Sequence, residues 1–314
     1  MLKERDAASP GDRRRLAMGL SLAAAALMVF GKVFAFLMTG SAAIFADAAE
    51  SFVHAFATGG AAFALRYAEQ PRDADHPYGH GKIVYMSAGF EGALILIAGV
   101  GALGMGIRGF WRAVPLEALS WGVAIIGGLA ALNLALGLFL VTVGRRQASI
   151  VLQANGRHVL ADVWTGAGAV VGVSLTWLTG NPLFDPAAGI VVGAVIFVGA
   201  YGLLRDAYRG LMDRADPEVT EALVSTLDAV VAAGRIRAYH ALRHRRINDK
   251  TYVEVHLLLP GVLSLDVAHR LATEVEERLQ VAASCAGTAC ITTHLEPADA
   301  DLHRHDGDGA EHHG

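Results

Sequence analysis

Two pairs of residues that can bind metals lie four positions apart in apolar stretches of the sequence. Glu50 and His54 form the first pair, and His158 and Asp162 form the second, about 100 positions later. A spacing of four residues places both side chains of a pair on one face of a helix. Two such helices packed face to face would bring together two imidazoles and two carboxylates. That donor set suits a divalent metal in tetrahedral coordination.

The alternative is that helix packing merely tolerates these polar groups. A charged residue at membrane depth costs about 2.5 to 3.5 kcal/mol on insertion scales, and each therefore needs a partner. The repetition of the spacing on a second apolar run favours the metal site. Asp47 lies one turn before Glu50, and we interpret it as an outer residue of the site or of the path that leads to it.

The composition predicts that most of the chain lies in a membrane. Hydrophobic residues make up 54% and charged residues 18% of the 314 residues, which is too apolar for a soluble protein of this length. The net charge of -4 and the position of the basic residues in short loops argue against nucleic-acid binding.

The apolar runs predict six membrane-spanning helices, at about residues 16–38, 42–65, 83–107, 119–143, 151–178 and 187–204. The expected domains are an N-terminal tail (1–15), a membrane domain (16–209), a soluble domain (210–299) and a disordered tail rich in His and Asp (300–314). Lys and Arg concentrate in the N-terminal tail, in the second and fourth loops and in the segment after the sixth span. Because basic residues favour the cytoplasmic side of a membrane, both termini are expected in the cytoplasm. The expected location is the inner membrane of the cell. Lys32, near the end of the first span, is expected to extend toward the membrane surface.

The soluble part has the pattern of a small α+β domain. Helical spacing begins at Pro217, two strands follow at about 237–247 and 251–259 around a turn at 248–250, and a second helix capped by Ser264 precedes a strand at about 290–295. The predicted order is αββαβ. Two glycine pairs, Gly168 with Gly172 and Gly189 with Gly193, predict close packing of the fifth and sixth spans.

From the first span to Glu296, the chain resembles the cation diffusion facilitator family of divalent-metal exporters. The segment from Ala46 to His54 is similar to the metal motif of the second helix in that family, and the segment from Asn155 to Asp162 is similar to that of the fifth helix. The loop from Asp73 to Lys82 is the most family-specific stretch. The family usually has His or Asp followed by Asp in the second helix, so Glu50 and His54 are a departure.

The resemblance implies a role for several further residues. It assigns Asp73, His76 and His80 to a second metal site, for which a solvated turn is the alternative. It implies that Lys82 and Asp213 form a charge lock in a homodimer. It also implies that the soluble domain is a cytoplasmic, metallochaperone-like domain with a zinc cluster. The residues of that cluster would be His240, His256, His269, His294 and Glu296. The alternative is that these histidines are ordinary surface residues.

The charges at the first site predict how it would work. Two carboxylates and two neutral imidazoles around a dication are close to neutral, whereas the emptied site would take up protons. We therefore expect efflux of Zn²⁺ in exchange for protons and no enzymatic activity. The resemblance to the family further implies that metal bound to the cytoplasmic domain regulates transport. Co²⁺, Fe²⁺, Mn²⁺ and Cd²⁺ are alternative substrates. The alternative functions are a membrane-bound metal sensor and an intramembrane metalloenzyme. A sensor would not explain the buried charges on two helices. A metalloenzyme needs an open coordination position on the metal, and four protein ligands leave none.

Overall fold

The computed structural model describes residues 10–111, 117–146, 150–247, 250–283 and 288–298. The side chains of residues 10–22, 58, 150–152, 154 and 158 lie outside this description, as do the predicted turn at 248–249 and the predicted tail at 300–314. The chain divides into two compact units. Among the described residues, the first unit contains those within 10–64 and 87–205, and the second contains those within 65–86 and 206–298.

Six long helices come first. Their bounds are Pro10–Thr39 (α1), Ala42–Ala68 (α2), Ile83–Trp111 (α3), Leu119–Arg146 (α4), Ile150–Thr179 (α5) and Phe184–Leu211 (α6). Each overlaps one of the predicted spans and extends it by a few residues, because polar residues at helix ends keep helical geometry beyond the apolar stretch. The prediction of six helices is confirmed.

The length and composition of these helices suit a membrane. Within the described residues, four helices are long and apolar enough to cross one: Ile83–Trp111, Leu119–Arg146, Asn155–Thr179 and Phe184–Leu211. A shorter apolar helix spans Ala23–Thr39. Large apolar side chains are exposed along the helices, among them Phe30, Ile97 and Trp164. Such exposure is expected where lipid replaces water as the solvent.

Small residues allow the helices to approach closely, as the glycine pairs predicted. A Cβ atom added at Gly172 of α5 would lie 2.2 Å from the Cβ of Ala188 in α6, and one at Gly189 would lie 3.0 Å from the backbone of Ala42 in α2. A larger side chain at either position would therefore force the helices apart. The predicted close packing of α5 and α6 is confirmed.

Asp185, in the first turn of α6, caps the start of another helix. Its carboxylate accepts hydrogen bonds from the backbone N–H groups of Ala42 (2.8 Å) and Ala43 (3.4 Å) and from the Ser41 hydroxyl. Asp185 is buried, with 2% of its surface exposed. The first N–H groups of a helix have no partner within that helix, and a carboxylate there also interacts favourably with the helix dipole. The contact fixes the start of α2, which carries Glu50 and His54.

The second unit contains the predicted αββαβ arrangement. Its elements are Pro217–Ala232 (α7), Ala238–Ile247 (β1), Lys250–Leu259 (β2), Leu265–Ala283 (α8) and Thr288–Pro297 (β3). Asp216 caps α7 by accepting from the N–H of Glu218 at 3.1 Å, and Pro217 occupies the first turn as predicted. β2 lies in the centre of the sheet, antiparallel to β1 and parallel to β3.

The core of this domain lies between one face of the sheet and the two helices. Val253, Val255 and Leu257 of β2 are each at most 1% exposed, as their alternation in the sequence predicts. They pack against Leu223 of α7 and Leu279 of α8, which are fully buried. The opposite face of the sheet is left to polar residues.

The loop between α2 and α3 belongs to the same compact unit as this domain, which differs from the predicted division of the chain at residue 209. Two of the contacts within this unit connect the loop to the sheet. Arg72 donates to the hydroxyl of Tyr252 (3.3 Å), and the hydroxyl of Tyr85 donates to the carbonyl of Arg246 (3.1 Å). These pairs are distant in sequence, so no local pattern could have predicted them.

Candidate metal centre

Three of the four residues predicted for the site in the membrane helices lie together. Glu50 and His54 of α2 and Asp162 of α5 each offer a ligand atom, and these atoms all lie within 4.8 Å of one another. The Nε2 atom of His54 is 3.9 Å from Oε1 of Glu50. His158 lies one turn before Asp162 on α5, but its side chain is outside the described residues, so its role as a ligand stays a prediction.

A carboxylate that sequence reasoning missed lies beside this cluster. Oε1 of Glu91, in α3, is 3.5 Å from Nδ1 of His54. Both side chains are partly buried, with exposed fractions of 26% for Glu91 and 20% for His54. An isolated acidic residue in the apolar run from Ile83 to Ile107 was the available signal, since such residues in membrane helices usually have a functional partner.

Asp47 forms a buried ion pair with Lys32. The Nζ atom of Lys32 lies 2.7 Å from Oδ1 of Asp47 and also donates to the Ser51 hydroxyl at 2.8 Å. Both charged residues are almost fully buried. The expectation that Lys32 extends toward the membrane surface is therefore wrong, because a carboxylate on α2 holds the ammonium group inside the bundle. Asp47 is thus neutralised by α1 in this structure.

The loop residues predicted as a second site also converge. Asp73, His76 and His80 offer ligand atoms within 4.8 Å of one another. Oδ1 of Asp73 lies 3.0 Å from Nδ1 of His76, and Oδ2 lies 3.3 Å from Nε2 of His80. Gly79 adopts a positive φ of 85°, which allows the turn that brings His80 back toward Asp73.

The electrostatics of this loop suit a cation. Desolvation acts to raise the pKa of Asp73, but hydrogen bonds from the backbone N–H and the ring of His76 outweigh it and lower that pKa. The Nδ1 atom of His80 is buried and has no hydrogen-bond partner among the described residues. The other ring nitrogen, Nε2, is the one that faces Asp73, at 3.3 Å, and could share a metal ion with it. The three residues therefore fit a metal ion.

A third cluster lies at one end of the sheet in the soluble domain. His240 of β1, His256 of β2 and Glu296 of β3 offer ligand atoms within 4.8 Å of one another. The Glu296 carboxylate contacts Nε2 of His240 (2.9 Å) and Nδ1 of His256 (2.8 Å). Burial raises the pKa of Glu296, but these two histidine contacts outweigh it and lower the pKa below its usual value. Each strand contributes one donor, and the set fits a metal.

The other histidines of the domain differ in position. His294 lies at the edge of the cluster, with Nε2 3.8 Å from Oε1 of Glu296 and its ring 4.8 Å from that of His256. His269 is an exposed residue of α8 and is not part of the group of three. The sequence could not separate these cases, because an exposed histidine and a ligand look alike without their neighbours.

Lys82 and Asp213 form the ion pair that the resemblance implied, with 3.0 Å between Nζ and Oδ1. Asp213 has a positive φ of 54° just after α6, where the bonds Asp213 N–H to Gly210 carbonyl and Arg214 N–H to Arg209 carbonyl close the helix. Arg245 of β1 also approaches Asp213 at 3.5 Å. One carboxylate therefore connects the loop and the sheet within the second unit.

Comparisons with known proteins agree with this arrangement. Residues 18–212 match the family model of the cation efflux transmembrane domain, and residues 215–298 match that of the cation efflux protein cytoplasmic domain. The chain is 34% identical over 284 residues to the uncharacterized transporter sll1263 of Synechocystis, covering 89% of both chains. It is 30% identical over 265 residues to the cation-efflux pump FieF of Klebsiella pneumoniae, covering 84% of this chain and 87% of that one.

A plant relative is more distant. The metal tolerance protein C1 of Arabidopsis thaliana is 28% identical over 311 residues, which cover 92% of this chain and 64% of that protein. The matches to the two family models together span the six helices and the soluble domain. The chain therefore belongs to the cation diffusion facilitator family, as a multi-pass membrane transporter for the efflux of divalent metal cations and not an enzyme.

Proposed function

We propose that the protein exports Zn²⁺ in exchange for protons through the site formed by Glu50, His54, His158 and Asp162. The convergence of Glu50, His54 and Asp162 from α2 and α5 is the observation that carries the proposal. Imidazole nitrogen with carboxylate oxygen is a common donor set for zinc, whereas manganese and magnesium favour oxygen alone. Co²⁺, Fe²⁺, Mn²⁺ and Cd²⁺ are the alternative substrates, since affinity order alone does not decide selectivity.

The charges of the site explain why metal would be exchanged for protons. With a dication bound, the two carboxylates Glu50 and Asp162 are neutralised, and the imidazoles bind through an unprotonated nitrogen. Without the metal, the carboxylates face each other in a poorly solvated space, and protons compensate them. Metal and protons therefore compete for the same atoms, and a proton gradient can drive metal out of the cell as the bundle opens to alternate sides.

The remaining features define the setting of this cycle. We propose a homodimer in the inner membrane with both termini in the cytoplasm, where Lys82 and Asp213 connect the loop to the soluble domain. The loop cluster (Asp73, His76, His80) would collect metal. The cluster of His240, His256 and Glu296 would bind regulatory zinc, with His294 and His269 as further candidates. The support for this cluster is the convergence of its three donors from three strands.

Transport by purified protein in liposomes tests the proposal. Zinc efflux should require an opposing proton gradient and should be abolished in four single alanine variants: Glu50→Ala, His54→Ala, His158→Ala and Asp162→Ala. The variants should remain folded dimers by size-exclusion chromatography. Undiminished flux in His158→Ala or Asp162→Ala would reject the site, and flux that ignores the proton gradient would reject the exchange. A metal sensor would bind zinc and carry none.

A further inference from the structure

The ring of His54 lies between two carboxylates that come from different helices. Its Nε2 atom faces Glu50 of α2 at 3.9 Å, and its Nδ1 atom faces Glu91 of α3 at 3.5 Å. The two nitrogens therefore have different partners. Nε2 is the atom on the side of Glu50, which belongs with Asp162 to the proposed site.

The chemistry of imidazole gives this arrangement a consequence. A neutral imidazole has one N–H group and one nitrogen with a free electron pair, and only the second can bind a metal. If Nε2 binds the metal, Nδ1 carries the proton and needs an acceptor. Histidine ligands in proteins usually donate that N–H to a carboxylate or carbonyl, which fixes both the tautomer and the ring orientation. A contact of 3.5 Å needs only a few tenths of an ångström to become such a hydrogen bond.

The position of Glu91 supports a specific role. It lies in α3, a helix long and apolar enough to span the membrane, and it is about three-quarters buried. A carboxylate there is costly unless another group uses it. The neighbouring residues of α3 are apolar or small, so Glu91 stands out as the acidic residue that α3 brings to the ring of His54.

We propose that Glu91 is a positioning residue of the transport site, which accepts the Nδ1–H of His54 and so turns Nε2 toward Glu50 and Asp162. The inference rests on the proposed function of that site. It adds a third helix, α3, to the two that supply ligands. It also makes Glu91 a determinant of specificity, because the imidazole that it orients is one of the two nitrogen donors that favour zinc over manganese.

Two substitutions separate positioning from other roles. Glu91→Gln removes the charge but keeps a carbonyl oxygen that can accept from Nδ1–H, whereas Glu91→Leu removes the acceptor and keeps a similar volume. Glu117→Leu is the matched control, because Glu117 is an exposed acidic residue just before α4 in the same compact unit. All three proteins should elute from size-exclusion chromatography as the unmodified protein does.

The experiment measures zinc binding to the full-length protein by equilibrium dialysis, and the zinc and manganese dependence of initial flux in liposomes. Glu91→Leu should weaken zinc binding at one site by about 10- to 100-fold, the usual effect of losing such a partner, and should raise the KM for zinc by a similar factor. Its preference for zinc over manganese should shrink. Glu91→Gln should retain most of the affinity, and Glu117→Leu all of it.

Other outcomes of these measurements would overturn the proposal. Unchanged zinc affinity in Glu91→Leu, or an equal loss in Glu91→Gln and Glu91→Leu, overturns the positioning role. Asp162→Ala serves as the reference for the site itself. If Asp162→Ala binds one zinc ion fewer but the unmodified protein transports no zinc, the proposed transport function is wrong. The positioning role of Glu91 is then tested by zinc affinity alone. If Asp162→Ala binds as many ions as the unmodified protein, both proposals fail.

Discussion

The Nζ atom of Lys32 lies 2.7 Å from Oδ1 of Asp47, and this ion pair connects α1 to the helix that carries Glu50 and His54. The exposed fractions of the two side chains are 4% and 2%. Each charge therefore depends on the other. A buried pair contributes little net stability compared with apolar residues, but removing one partner leaves an uncompensated charge.

We predict that Lys32→Met destabilises the protein by about 3 to 5 kcal/mol, because it leaves Asp47 buried without its cation. The double change Lys32→Met with Asp47→Leu removes both charges and should recover most of that stability. Chemical denaturation of the membrane domain in detergent, followed by tryptophan fluorescence, measures both variants. If the double variant is as unstable as the single one, the pair is not the main interaction of either residue.

The preference of the site for zinc should depend on His54. We predict that His54→Asp, which changes the donor set to one nitrogen and three carboxylates, broadens transport toward manganese and other ions that favour oxygen. Competition between zinc and manganese in liposomes measures the ratio of the two fluxes. A preference for manganese in the unmodified protein would show that zinc is the wrong substrate.

The periodicity of the sequence was sufficient to predict the elements and which candidate metal-binding residues share a helix face. Glu50 and His54 share one helix face because they are four residues apart, and Val253, Val255 and Leu257 are buried because they alternate with polar residues. Spacing within one element determines both results. The element order and the close approach at Gly172 follow from the same local information.

Contacts between distant elements could not be derived in this way. Asp185 caps a helix that begins more than 140 positions earlier, and Lys32 turns inward because Asp47 is opposite it on α2. Glu91 contacts His54 only because α3 packs beside α2. In each case the residue type was visible in the sequence, but its partner depends on which helices are neighbours.

Asp185 provides a test of these tertiary contacts. We predict that Asp185→Ala lowers the free energy of unfolding by about 1 to 3 kcal/mol, because the N–H groups of Ala42 and Ala43 lose their acceptor in a buried position. Asp185→Asn should cost less, since its carbonyl oxygen can still accept one bond. Denaturation of the two variants in detergent compares them. Equal stability of Asp185→Ala and the unmodified protein would contradict the cap.

His244 should make the soluble domain sensitive to acid. Burial lowers the pKa of His244, whose Nε2 lies 2.8 Å from the hydroxyl of Thr220. In the unfolded chain the pKa of His244 is about 6.5, so as the pH falls the unfolded state takes up a proton before the folded state does. The free energy of unfolding therefore decreases as the pH falls below that value. The protection factors of amide hydrogens in peptides from α7 and β1, which correct for the intrinsic pH dependence of exchange, should therefore fall between pH 7 and pH 5 when measured with chelator present. His244→Gln should flatten this dependence, and an unchanged pH dependence in that variant would assign it to another group.

The soluble domain should affect transport only by shifting the arrangement of the two protomers. Such a shift is limited by how differently the metal binds the two arrangements.

His240 and Glu296 are in contact, whereas His269 is exposed on α8 outside the group of three, so we expect His240→Ala alone to remove most of the zinc binding of the cluster. The double change of His240 and His269 to alanine should abolish zinc-induced compaction of residues 213–299, measured by small-angle scattering. The same change in the full-length protein should weaken the response of flux to cytosolic zinc while transport itself persists. A domain that binds no zinc, or binds it with no change in dimensions, would reduce these histidines to surface residues and exclude the regulatory role.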